Sequence, residues 1–93
     1  MNKCSGSKRM VYQSIGEPIQ VYALFEKSQI KPLHFKWGQR VYKIAKVTGR
    51  WRVPVGRYKL HHFGVLDTQD NFYQLCYSEE DFSWTLIQTW NEG

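Results

Sequence analysis

The chain has 93 residues, 42% hydrophobic and 16% aromatic, with thirteen Lys and Arg against eight Asp and Glu for a net charge of +5. That length is one domain. The abundance of large rings excludes wholesale disorder, because rings supply the area that a small core needs. No apolar stretch approaches the length of a membrane-spanning helix, and Cys4 and Cys76 are too few and too far apart for a disulfide framework or a zinc site.

Residues 1–16 begin with a polar, basic stretch (Lys3, Ser5, Gly6, Ser7, Lys8, Arg9) and read as a mobile or partly ordered tail ahead of a single β-domain at 17–93. No apolar h-region follows the basic start, so no secretory signal is expected. Both thiols read as free in a reducing compartment, which makes the cytoplasm the expected location. From Glu17 the pattern changes. Ile19, Val21, Ala23 and Phe25 alternate with Gln20, Tyr22, Leu24 and Glu26, the period of a strand. Leu33, Phe35 and Trp37 alternate with His34 and Lys36, Gly38-Gln39 turns, and Arg40 to Val47 puts Tyr42 and Ile44 opposite Lys43. Val47 is out of phase with Tyr42 and Ile44, which predicts a bulge near Ala45 or Lys46.

Gly49 breaks that run, Trp51 and Val53 begin a short one, and Pro54 and Gly56 end it. Tyr58 and Leu60 fall on even numbers but Phe63 and Val65 on odd ones, so a second bulge or a corner is expected at His61-His62. Thr68-Gln69-Asp70-Asn71 is a hairpin turn into Tyr73, Leu75 and Tyr77. Ser78 to Asp81 turns again, with room for one helical turn at Glu79 to Phe82, and Phe82, Trp84, Leu86 and Trp90 close the pattern. No segment carries a helical stripe. The expectation is an all-β fold, a small, strongly bent antiparallel meander or half-open barrel of six to seven short strands. Its expected core is Ile19, Val21, Phe35, Trp37, Tyr42, Ile44, Phe63, Val65, Leu75, Trp84 and Leu86.

Charge is distributed unevenly. From Lys27 to Leu66 there is no Asp or Glu, yet that stretch holds ten of the thirteen Lys and Arg, and none follows Lys59. A basic run interleaved with Phe35, Trp37, Tyr42, Trp51 and Tyr58 suits the backbone of DNA or RNA, since each phosphate neutralised releases condensed cations and exposed rings can stack on unpaired bases. The expected phosphate contacts are Lys36, Arg40, Lys43, Arg50, Arg52 and Lys59, with Trp51 as the exposed ring. The alternative is structural: Lys on solvated strand faces, or a basic middle paired across the sheet with the acidic end.

Catalytic signals are absent from the pattern. There is no P-loop, dinucleotide fingerprint or nucleophile elbow. His61 and His62, as strand neighbours, point to opposite faces and do not share a metal. Cys76 between Leu75 and Tyr77 reads as a buried, inert thiol, and Glu79-Glu80-Asp81 as a solvated turn. Neither cofactor nor metal is expected. The reading is a non-catalytic binding module associated with nucleic acid. Its alternative is a protein-interaction adaptor that uses a sheet edge or an aromatic patch.

Glu17-Pro18-Ile19-Gln20-Val21, Phe35-Lys36-Trp37, Arg40-Val41-Tyr42-Lys43-Ile44, Trp51, Phe63-Gly64-Val65 and Trp84-Thr85-Leu86 form an ordered set of landmarks over about Glu17 to Trp90. In these the chain resembles an uncharacterised bacterial β-domain that occurs alone and at the C-terminal end of some Y-family translesion DNA polymerases. The resemblance implies a bacterial source and an accessory role in DNA metabolism. It brings no catalytic or binding residues with it.

Overall fold

The computed structural model describes residues 10–92, with side chains over 13–90. Six antiparallel strands run in chain order: β1 (Met10–Glu26), β2 (Gln29–Trp37), β3 (Arg40–Val55), β4 (Tyr58–Asp67), β5 (Phe72–Ser78) and β6 (Ser83–Glu92). Each pairs with the next, and β1 pairs with β6, so the meander closes fully into a barrel. Turns at residues 27–28, 56–57 and 79–82 gather at one end of the barrel, and those at 38–39 and 68–71 at the other. No described helix is long and apolar enough to cross a membrane.

Closure depends on two strands that are long rather than short. The first part of β1, Met10 to Ile19, pairs with β6, and the second, from Gln20, pairs with β2. The partner changes just after a bulge between Ser14 and Glu17, where Gly16 takes a φ of +67°, a conformation that side-chain-bearing residues rarely adopt. β1 thus begins at Met10, inside the segment assigned to a tail from sequence. Residues 1–9, with Cys4, lie outside the described residues. β3 is the second corner. Only Arg40 to Lys43 pair with β2, and Ile44 to Val55 pair with β4.

The expected bulge near Ala45 is present, since Ile44 faces Asp67 while Lys46 faces Leu66. Another follows at Thr48, between Val47 and Gly49. Gly49, however, does not end the strand: β3 runs on to Val55, and one strand stands where two were counted. Nor is there a bulge or corner at His61-His62. β4 holds unbroken register with β3 from Tyr58 to Gly64 and with β5 from Leu60 to Leu66. The slip in apolar phase is an inversion of polarity between the two faces of one regular strand. The segment from Glu79 to Phe82 forms a single turn, its Phe82 amide donating to the Ser78 carbonyl at 3.0 Å.

The core follows the period-2 pattern closely. Phe35, Phe63, Val65, Leu75, Trp84 and Leu86 are buried, and Ile19, Val21, Trp37, Tyr42 and Ile44 pack against them. Tyr73 and Tyr77, outside the expected set, complete the core. Its rings pack edge to face, tilted or offset-stacked, as ring quadrupoles prefer: Phe35 on Tyr73 at 5.0 Å, Tyr77 on Trp84 at 5.0 Å, and Phe35 nearly parallel to Tyr42 at 5.0 Å. One buried charge is tolerated. Asp67 accepts from the Gln69 and Asn71 amides and, on its other oxygen, from the Tyr73 hydroxyl at 2.8 Å.

Candidate nucleic-acid interface

The β3–β4 hairpin departs from the barrel's pattern. Every residue from Arg50 to Lys59 is exposed, and none is acidic. Val55 faces Tyr58 across a two-residue turn whose Gly56 sits at a φ of +61°. Register assigns the faces. Arg50 opposes Phe63, Arg52 opposes His61 and Pro54 opposes Lys59, which puts these side chains on the inward face. Trp51 opposes His62, Val53 opposes Leu60 and Val55 opposes Tyr58 on the outward face. Below the hairpin the inward face is apolar, with Phe63 and Val65. Along it the inward face becomes cationic, because it overlooks the mouth of the barrel rather than the core.

That mouth is a cleft walled by the β1–β2 turn and the inward face of the hairpin. β2 and β3 pair over only four residue pairs, His34 with Lys43 through Trp37 with Arg40, and then diverge. Arg50 spans the gap. Its Nη1 donates to the Ile30 carbonyl at 2.6 Å, and its guanidinium carbon stands 5.8 Å from the centre of the Phe63 ring. Beside it, His61 donates to Glu79 at 2.7 Å, and the same carboxylate accepts from the Lys59 amide. The His61 hydrogen bond is the main cause that holds the Glu79 carboxyl below its ordinary value. Trp51, 44% exposed, stacks on His62 with ring centres 5.3 Å apart and planes 6° from parallel. Phe82, Phe25 and Tyr22 are more exposed than Trp51.

The seven residues expected from sequence fall into separate places. Arg50, Arg52 and Lys59 share the inward face of the hairpin, with Trp51 on its outer face. Arg40 is at the opposite end of the barrel, 5.4 Å over the Tyr42 ring and beside the 68–71 turn. Lys36 and Lys43 lie on the outer face of the β2–β3 hairpin, opposite Val41 and His34. Sequence reasoning left out His61, Phe63 and the Ile30 carbonyl. The phase slip at His61-His62, which in sequence reads as a bulge or a corner, is the signal for the two side chains, and nothing in the pattern marks the Ile30 carbonyl.

Among the described residues no Lys or Arg stands within ion-pair distance of a carboxylate, and the one bridge there is His61 to Glu79. The acids are engaged elsewhere: Asp67 by Tyr73 and its own turn, Asp81 by Ser83. Of the hairpin's cations only Lys59 feels a carboxylate of the described acidic end, Glu79, which also accepts from its amide.

His62 and Cys76 oppose each other across β4 and β5, with Sγ 3.9 Å from Nε2. Burial pushes the thiol up and the imidazole down, and both shifts oppose a thiolate–imidazolium pair. Gln74 also holds the imidazole, at 3.1 Å. Among the described residues no three His, Cys, Asp or Glu side chains are grouped to hold a metal ion. No family model, no curated protein and no solved structure matches this chain. The resemblance to the polymerase-appended β-domain therefore rests on its short apolar landmarks alone.

Proposed function

We propose that the chain is a non-catalytic, nucleic-acid-associated module that grips the phosphate backbone of DNA or RNA with the β3–β4 hairpin. The observation that carries this reading is an acid-free hairpin, exposed at every residue from Arg50 to Lys59, whose Arg50, Arg52, Arg57 and Lys59 side chains make no ion pair with a described carboxylate. Unpaired cations on one arm favour binding by counterion release. Trp51, backed on one face by His62, offers a ring pre-set for stacking. The polymerase-domain resemblance supports an accessory place in bacterial DNA metabolism, and the free thiol of Cys76 suits the cytoplasm.

Fluorescence anisotropy with labelled oligonucleotides tests the reading. Binding should have little sequence preference, because phosphate contacts position without specifying. It should weaken as salt rises, with a log–log slope of about −0.7 to −0.9 per phosphate contact. No binding at low salt would refute it and leave a protein-interaction adaptor in front. One observation favours that second reading: among the described residues β3 from Ile44 onward has no strand partner on its β2 side, which leaves an edge for an added strand.

A further inference from the structure

We propose that the cleft beneath the hairpin is a pocket for one unpaired nucleotide, so that single strands are the preferred partner. The inference rests on the nucleic-acid reading above and adds the part of the ligand that the barrel mouth takes.

The cleft exists because the β2–β3 pairing stops at His34 and Lys43, and its volume is about 360 Å³. That is within the size range of pockets for small organic ligands. Its floor is the Arg50 guanidinium lying over Phe63, a core ring only 3% exposed that holds the arginine from below. Arg50 and Arg52 bring two guanidiniums to it from alternate residues of one strand face. Arg50 is held by the Ile30 carbonyl on one side and lies over Phe63 on the other. One of its five N–H donors is used there, and the rest remain for an anion. Arg52 has no side-chain partner among the described residues.

The wall holds one carboxylate, Glu26, which accepts from Gln29 Nε2 at 3.4 Å. Two guanidiniums, Arg50 held and Arg52 free, against one lining carboxylate favour a phosphate, and the held guanidinium plane favours a flat base. A base in a duplex has both faces stacked and its pairing edge occupied. It would enter such a cleft only by flipping out, which costs energy that a single strand does not spend.

The test combines two measurements on the full chain. Amide NMR shifts are followed during titration with thymidine monophosphate, and anisotropy compares a twelve-nucleotide thymidine strand with a twelve-base-pair duplex at one low salt concentration. Arg52→Ala removes a cation from the cleft. Arg57→Ala removes one from the turn outside it. The monophosphate should shift amides around Ile30, Arg50, Arg52 and Phe63, and the single strand should bind roughly tenfold or more tightly than the duplex. Arg52→Ala should abolish the monophosphate shifts and reduce the single-strand preference. Arg57→Ala should weaken both oligonucleotides alike and leave the shifts in place. Equal binding of strand and duplex, with no shifts around the cleft, would overturn the nucleotide pocket and leave the phosphate-gripping hairpin standing. Loss of binding to both oligonucleotides would remove both.

Discussion

Asp67 ends β4, is 7% exposed, and organises the loop that follows. One carboxylate oxygen accepts from the Gln69 amide at 2.8 Å and the Asn71 amide at 3.0 Å, the other from the Tyr73 hydroxyl at 2.8 Å and Asn71 Nδ2 at 3.2 Å. In Asp67→Ala, water can take over the loop amides, because Gln69 is exposed and Asn71 half-buried. It cannot easily reach Tyr73, which is 5% exposed. An orphaned buried donor costs about 1–3 kcal/mol, and loss of the charge-assisted loop bonds brings the total to roughly 2–4 kcal/mol. For a domain of this size, each kcal/mol moves the melting temperature by about 4–8 °C, so a fall of roughly 10–30 °C is expected.

Circular dichroism melts and urea titrations measure this fall. Adding Tyr73→Phe to Asp67→Ala should recover part of the loss, since it removes the orphaned hydroxyl. The pH dependence is a second check. Burial by itself would raise the Asp67 carboxyl, but the bonds from Tyr73, Asn71 and Gln69 outweigh it and hold the group below its ordinary value of 3.8. A carboxyl depressed on folding contributes its full stabilisation above its unfolded value and loses it as pH falls through its folded one. The stability gap between the parent and Asp67→Asn should therefore be constant near neutrality and shrink below about pH 4. An Asp67→Ala variant within about 0.5 kcal/mol of the parent, or a gap that does not change with pH, would refute the assignment.

Trp84 packs on Phe63 and Tyr77 at 5.6 and 5.0 Å, so Trp84→Ala should cost about 3–5 kcal/mol on denaturant melting. A Cβ at Gly64 would stand 2.9 Å from the Phe72 ring and 3.1 Å from Thr48 Oγ1. Gly64→Ala should therefore cost about 1–3 kcal/mol, and Phe72→Leu in the same chain should relieve part of it. If all four cations of the hairpin contact phosphates, a single strand should show a log–log salt slope near −2.8, or about a fiftyfold loss from 50 to 200 mM. Arg50→Glu with Arg52→Glu should at least halve that slope, and an unchanged slope would place the phosphates elsewhere. Trp51→Ala should weaken single-strand binding more than duplex binding, read by the same anisotropy, because only unpaired bases present a free face.

The strand pattern was legible because burial of one sheet face imposes a period of two, and that period survives in Ile19, Val21, Phe35, Phe63, Val65, Leu75, Trp84 and Leu86. The bulge at Ala45 was legible for the same reason: an extra residue shifts the phase. His61-His62 shifted the phase too, yet there the strand stays regular and the polarity of its two faces changes over. The two cases give one signature in a single strand. Only the register of β3 against β4 tells them apart.

The acid-free basic run from Lys27 to Leu66 was likewise plain in the sequence, but its division in space was not. Arg40 and Lys43 lie three residues apart and still reach opposite faces of the β2–β3 hairpin, while Arg50, Arg52 and Lys59 belong to the hairpin at the other end. Alternation sends strand neighbours to opposite sides, and each hairpin carries the chain the length of the barrel. Composition and alternation by themselves determined an all-β chain, most of its core and its basic character, because these depend on which side chains avoid water. The full closure of the barrel, the early divergence of β2 and β3, and the convergence of Arg50, Arg52 and His61 over Phe63 were decided by tertiary structure. They depend on pairings between residues far apart in the chain, and which strands pair, and over what length, is not written in the local alternation.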